Sequence, residues 1–338
     1  MNTPQVLGPL ITDLEGVELS QVDKEMLAHP KLGGLIFFSR NYESKEQLIA
    51  LIRCVREIRP DLFLSVDHEG GRVQRFKKGF THIPPMAQLG DHYESTKTGG
   101  SLDQAYDYGW LLAYELTSLG IDHSYAPVLD LDDHRSQVIG DRSFSKNPDT
   151  TICVAQRFIQ GMNAAGMSAT AKHFPGHGSV IADSHLELPI DNRSFDLVVA
   201  HDLRPFVELK HDYKALMTAH IAFPEIDDQP VSFSKKWLRE ILRDQLGFKG
   251  IVISDDLSMK GATTFGSASS CAEKALSAGC DAVLVCNTRT EAERALEHLE
   301  AKALGVADKL RPMIRNKAVL AEQGLSRKYT DIQKRLGI

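Results

Sequence analysis

A chain of 338 residues with 42% hydrophobic and 25% charged side chains has ordinary globular composition, which excludes disordered and collagen-like classes. Its formal net charge of -6 leaves no cationic excess to neutralise phosphates, so nucleic-acid and anionic-membrane partners lack electrostatic support. A neutral or small acidic ligand fits better.

The opening MNTPQVLGPLITDLEG has no basic start, and Gly8, Pro9 and Asp13 interrupt its apolar stretch, so it does not read as a secretory signal. No apolar run approaches the roughly 20 residues that a membrane helix needs. Cys54, Cys153, Cys271, Cys280 and Cys286 are odd in number and lack a CxxC spacing, and they read as reduced core residues. A cytoplasmic location is the expectation.

In chain order, short apolar runs rich in β-branched residues fall at Val6 to Thr12, Gly34 to Phe38, Leu62 to Asp67, Ile121 to Ala126, Ser168 to His173, Ala215 to Ile221, Ile251 to Asp255 and Ala282 to Cys286. Helical periodicity fills the gaps at Ser44 to Arg59, Leu102 to Leu119, Thr150 to Ala165, Ser194 to Leu209, Lys235 to Leu246, Ser267 to Ala278 and Thr290 to Leu304. Ser44, Asp149, Ser234 and Thr288 suit N-caps, and Gly120, Gly166, Gly247 and Gly279 suit helix stops. Eight strands in one repeating pattern, with no GxGxxG after the first, predict a single (β/α)8 barrel of the TIM type over 1–338 rather than an open dinucleotide-binding sheet. The insertion from His68 to Gly100 follows the third strand and should cover the barrel mouth. The segment from about Ala307 onward reads as a polar terminal cap.

Active sites of such barrels lie at the C-terminal ends of the strands, where Asp67, Asp130, Lys172, His173, His220 and Asp255 fall. Asp255, in IVISDDLSM, follows four residues of buried strand; it is placed either to attack a sugar C1 or to cap the next segment, a role Asp256 also suits. The densest segment is KHFPGHGSVIADSH, Lys172 to His185. His173 and His177 have the i, i+4 spacing of zinc helices, but Pro175 and Gly176 break any helix between them and no glutamate follows His173 as in HExxH. Alternatively Asp183 and His185 form a dyad, since residues i and i+2 of an extended segment face the same way and a carboxylate can fix the imidazole tautomer. An isolated DSH could equally be a turn cap. In VDHEGGRVQRF, Asp67 precedes Arg72 and Arg75; in IGDRSF, Arg142 is a further donor. Carboxylate and guanidinium suit sugar hydroxyls, or hold a loop as an ion pair.

In order and spacing, DHEGGRV, IGDRSF, KHFPGHG with DSH, and SDDLSM closely resemble the bacterial β-N-acetylglucosaminidases of glycoside hydrolase family 3, the single-domain enzymes of peptidoglycan recycling, over essentially the whole chain. The resemblance implies Asp255 as nucleophile and His185, paired with Asp183, as general acid/base. It implies that Asp67, Arg75, Arg142, Lys172 and His173 hold the GlcNAc hydroxyls and orient the nucleophile, with retention of configuration and no metal or organic cofactor. The implied substrate is GlcNAc β-1,4-linked to 1,6-anhydro-N-acetylmuramic acid, with or without peptide. No nucleic acid or membrane partner is implied; oligomeric state stays open, with a monomer favoured. His68 stands where relatives commonly carry Gln. No second α/β domain with a glutamate acid follows, which suits the histidine dyad. Three readings compete: a metal-dependent hydrolase on His173, His177 and Asp183, a non-catalytic sugar-binding barrel, and transfer of the sugar to phosphate by the same dyad.

Overall fold

The computed structural model describes residues 6–133, 138–181, 184, 186–304, 308–315, 317–321 and 324–338. Its frame is eight strands: β1 (Leu10–Thr12), β2 (Leu32–Phe37), β3 (Phe63–Val66), β4 (His123–Ser124), β5 (Thr170–Phe174), β6 (Ala215–Thr218), β7 (Ile251–Asp256) and β8 (Ala282–Leu284). They are hydrogen-bonded in the order β4-β3-β2-β1-β8-β7-β6-β5, every pair parallel. The two ends meet through a parallel bridge between Val128 and Lys172, flanked by Thr170 N–H to Ala126 O at 2.9 Å and Leu129 N–H to Lys172 O at 2.7 Å. The sheet is therefore the expected (β/α)8 barrel, and each predicted strand run overlaps one of its strands, with β2 starting two residues earlier and β5 and β7 each ending one residue later than expected.

Both faces of the strands are apolar because each packs on something. Ile11, Ile36, Phe63, Met217, Ile253 and Leu284 fill the lumen in one cluster, while their neighbours Leu10, Leu35, Leu64, Leu216, Val252 and Val283 join the larger cluster under the helices. That split is the period-two alternation of strands, here buried on both sides as parallel sheets require.

The outer layer comprises α1 (Gln21–Leu27), α2 (Lys45–Ile58), α3 (Met86–Thr96), α4 (Gly99–Leu119), α5 (Pro148–Ala164), α6 (Phe195–Ala200), α7 (Arg204–Glu208), a π-helix at Lys236–Gln245, α8 (Ala268–Ala278), α9 (Arg289–Ala301) and α10 (Leu325–Leu336). Helices α4 and α5 cross in backbone contact: a Cβ on Gly109 would stand 2.1 Å from Phe158 O, and one on Gly161 2.1 Å from Tyr106 O. Only glycine allows that approach.

Several expectations need correction. The helix expected over Ser194 to Leu209 is two, α6 and α7, because Pro205 has no N–H to give and its ring would strike the carbonyl four residues back. Asn147, not Asp149, caps α5: its side chain accepts from Asp149 N–H, and Pro148 takes the first helical position, where its missing N–H costs nothing. The insertion after β3 is more than a covering loop, since it forms a hairpin (His68–Gly70 with Val73–Gln74) and then α3. Helix α1, closed by a Ser20–Asp23 capping box, was not anticipated. The terminal segment is no purely polar cap: Ile332 of α10 is buried, Tyr329 donates to Glu115 at 2.6 Å, and Arg335 pairs with Asp107. Cys271, Cys280 and Cys286 are buried free thiols, but Cys153 is half-buried and Cys54 lies on the outward face of α2. Among the described residues no helix is long and apolar enough to cross a membrane.

Candidate active site

Side-chain parity along the strands decides what reaches the mouth. Phe63 and Ile253 point into the lumen, so residues four and two positions on, Asp67 and Asp255, face the same way at the C-terminal rim. Lys172 arrives there from β5, and the neighbouring His173 faces the same cavity across a cis peptide bond. The cavity has a volume of ≈ 430 Å³, and its lining includes all six described residues of the expected set: Asp67, Arg75, Arg142, Lys172, His173 and Asp255. Asp183 and His185 lie outside the described residues; Ser184, between them in sequence, lines this cavity. Among the described residues, four cations (Arg72, Arg75, Arg142 and Lys172) and four carboxylates (Asp67, Glu69, Asp255 and Asp256) line it. A wider groove of ≈ 700 Å³ lies away from the strand ends, between Ile49, Arg53, Tyr114 and Leu325.

The sugar-binding candidates form one network. Lys172 Nζ lies 2.9 Å from Asp67 Oδ1 and 2.5 Å from Glu69 Oε1, and Arg75 reaches Asp67 Oδ2 at 3.5 Å. Arg142 grips Glu69 with Nε and a terminal nitrogen, both at 2.8 Å. Burial pushes both carboxyls upward, but Lys172 and Arg75 overcome it for Asp67, and Arg142 and Lys172 for Glu69, so both are held below the usual carboxylate range. Burial depresses Lys172, and its two carboxylates more than restore the charge. Arg75 retains a buried Nε without a protein partner among the described residues. In IGDRSF, Asp141 pairs with Arg72 at 3.0 Å rather than with Arg142.

Asp255 Oδ1 accepts from Asp256 N–H at 2.8 Å. Asp256 turns away to hold the chain: it accepts from Ser258 N–H and Oγ–H and from Cys286 N–H, which supports the capping role for this residue. Burial raises its carboxyl to about 6 despite those donors. His220, fully buried and outside the cavity lining, has Nε2 at 3.0 Å from Asp256 O and Nδ1 at 2.9 Å from Ser232 Oγ, so its ring braces the backbone that carries Asp255.

Asp130, named from its strand-end position but given no role, organises the histidine segment. It accepts from His173 N–H at 3.0 Å and His177 N–H at 2.8 Å, and pairs with His173 Nδ1 at 2.7 Å. His177 Nε2 is 3.1 Å from Ser184 Oγ. No group of three or more His, Cys, Asp or Glu among the described residues could hold a metal ion. Glycine is required beside this segment: a Cβ on Gly178 would lie 1.5 Å from Leu131 O. Glu69 was missed altogether, although it stands two residues beyond Asp67, the spacing that shares a face.

His68 contributes backbone to this region and keeps its ring out of the cavity, among Phe76 and Phe80. Burial, aided by Arg75, pushes it down to about 3; burial likewise takes His123 to about 3 and His177 to about 4. These rings fold neutral, so below pH 6.5 the unfolded chain takes up protons that the folded one refuses, and stability drains away as pH falls from about 6.5 towards 3. Asp256, raised, works in the opposite sense between about 6 and 4 and offsets only part of this. His68→Gln is expected to flatten the acid limb of urea-unfolding stability by up to about 1.4 kcal/mol per pH unit. An unchanged limb would mean that His68 titrates normally in the fold.

The Glycosyl hydrolase family 3 N terminal domain model matches residues 7–315. A β-hexosaminidase of Tolumonas auensis is 50% identical over 307 residues, 90% of either chain, and one of Pseudomonas aeruginosa is 48% identical over 293 residues, 87% of this chain and 86% of its own. Two crystal structures of NagZ from Neisseria gonorrhoeae superpose over 98% of both chains. The native form does so with TM-score 0.88 at 37% identity, and the complex with N-trifluoroacetyl-D-glucosamine with 0.87 at 38%. The chain belongs to glycosyl hydrolase family 3. Within that family it is a glycoside hydrolase of the β-N-acetylhexosaminidase type.

Proposed function

We propose that this protein is a retaining exo-β-N-acetylglucosaminidase that removes non-reducing terminal GlcNAc from β-1,4-linked 1,6-anhydro-N-acetylmuramic acid, with or without peptide, in cell-wall recycling. The observation that carries the reading is the placement of Asp255 at the end of β7, facing a cleft fringed by Asp67, Arg75, Lys172 and His173. The relative crystallised with N-trifluoroacetyl-D-glucosamine supports an N-acylated glucosamine as the glycone.

In this reading Asp255 attacks C1 while His185 protonates the departing glycosidic oxygen, so the C1–O bond breaks as the ester to Asp255 forms. His185, now neutral and held in one tautomer by Asp183, then takes a proton from water; the water attacks C1 and releases GlcNAc with retained configuration. Asp67, Lys172, Arg142 and His173 hold sugar hydroxyls. A single catalytic domain acting as a cytoplasmic monomer, with no metal or organic cofactor, completes the proposal.

The test is release of nitrophenol from 4-nitrophenyl N-acetyl-β-glucosaminide and from the matching β-glucoside, with and without EDTA, while phosphate is varied and the product identified. Preference for the acetamido substrate, indifference to EDTA and free GlcNAc as product are expected. Loss of activity with EDTA would return the histidine segment to a metal role, and a glycosyl phosphate product would make the reaction a phosphorolysis.

A further inference from the structure

Arg142 and Lys172 are the cations most deeply set in the cleft, with side chains 11% and 2% exposed. A guanidinium fork with two parallel N–H groups is the ordinary seat of a phosphate or carboxylate, and a lysine beside it strengthens that seat. Here the seat is already filled from within. Glu69, 3% exposed, takes Nε and one terminal nitrogen of Arg142 at 2.8 Å each and Lys172 Nζ at 2.5 Å. The other terminal nitrogen of Arg142 donates to Val138 O at 3.1 Å, and Lys172 has Asp67 as its second partner. Among the described residues that line the cleft there are four cations and four carboxylates. An anion entering this balanced set would shed its water without meeting an unshared cation in the deep end, a net cost in a site of low dielectric.

We infer that Glu69 is a specificity-determining residue: by occupying the Arg142 fork and offsetting Lys172, it fits the cleft to an uncharged sugar and shuts out anionic ones such as sugar phosphates. The inference rests on the reading of this cleft as the GlcNAc pocket. Its chemical content is separate from the roles of Asp255 and His185, since it concerns which ligand binds and not how a bond breaks. Neutralising Glu69 alone leaves, among the described lining residues, four cations against three carboxylates, and a glutamine there keeps only one accepting oxygen for the Arg142 fork and offers no charge to offset it.

Calorimetric titration of GlcNAc, GlcNAc 6-phosphate and inorganic phosphate into the wild type, Glu69→Gln and the double variant Glu69→Gln/Arg142→Gln tests this. Wild type is expected to bind GlcNAc, and to bind its 6-phosphate at least about ten-fold more weakly. Glu69→Gln should shift that ratio at least about ten-fold towards the phosphorylated sugar and gain measurable affinity for inorganic phosphate, the scale of one or two hydrogen bonds to a charged group. The double variant, which loses the Arg142 contact with either sugar but carries no excess charge, should bind both more weakly and return to the wild-type ratio. A ratio in Glu69→Gln within about two-fold of wild type would overturn the inference, as would a wild type that takes the 6-phosphate as tightly as the parent sugar. A wild type that takes both sugars equally overturns the inference even if the single variant fails to fold, and Glu69→Asp, which keeps the charge, should then keep the wild-type ratio. A wild type that binds no GlcNAc would instead sink the reading of the cleft itself.

Discussion

Asp255→Ala is expected to lose roughly 10⁴- to 10⁶-fold in kcat on 4-nitrophenyl N-acetyl-β-glucosaminide, the scale on which removing a nucleophile acts. The fold should barely notice. Asp255 is partly exposed at the rim, and its carboxylate accepts only the neighbouring Asp256 N–H among the described contacts, whereas the side chains that hold this end of β7 are those of Asp256 and His220. Retained thermal stability with abolished turnover therefore separates a chemical role from a structural one. A covalent role makes a further demand: a slowly hydrolysed fluorinated substrate should leave a glycosyl adduct on the peptide that contains Asp255 in wild type. Turnover above about a hundredth of wild type in the alanine variant would remove Asp255 from the nucleophile's position and assign that role to another carboxylate of the cleft.

For His185→Ala the expected loss depends on the leaving group. General acid catalysis contributes about 10²- to 10⁴-fold, and its worth grows as the departing oxygen becomes more basic. Cleavage of a disaccharide, whose aglycone leaves as an alkoxide unless protonated, should suffer the full loss in kcat/KM. Nitrophenyl glycosides need little protonation and should show a much smaller fall in the bond-breaking step, with the following hydrolysis step slowed enough for the glycosyl-enzyme to accumulate. Small anions such as azide should then speed turnover by attacking C1 without a base. Asp183→Asn should act in the same direction, because the asparagine amide cannot stabilise the imidazolium. An equal loss on both substrates would mean that His185 binds or shapes the cleft and transfers no proton.

How much of this was legible in the sequence follows from which features are local. The strands were, because β-branched apolar runs between glycine and proline punctuation encode them directly, and the strand-end rule then brought Asp67, Lys172 and Asp255 to one rim. The partners in the network were not. That Arg142 would meet Glu69, 73 positions away, rather than Asp141 beside it, is a tertiary fact without local signature. Likewise Asp130, 43 residues from His173, became the organiser of the histidine segment only once β5 lay beside the chain that follows β4. Helix periodicity alone ran through Pro205 and past the break between α6 and α7, where the residue's missing N–H should have weighed more than the apolar pattern.

The barrel is completed where Leu129 N–H meets Lys172 O, beside a β4 of only two residues. The last stitch of the ring is therefore sewn by the same residue whose side chain holds Asp67 and Glu69. Parting the ring at that point would carry Lys172 away from both carboxylates and scatter the proposed sugar subsite. A sugar that grips Asp67 and Lys172 together thus acts as a clasp, and occupancy of the cleft and closure of the barrel are linked through a single strand.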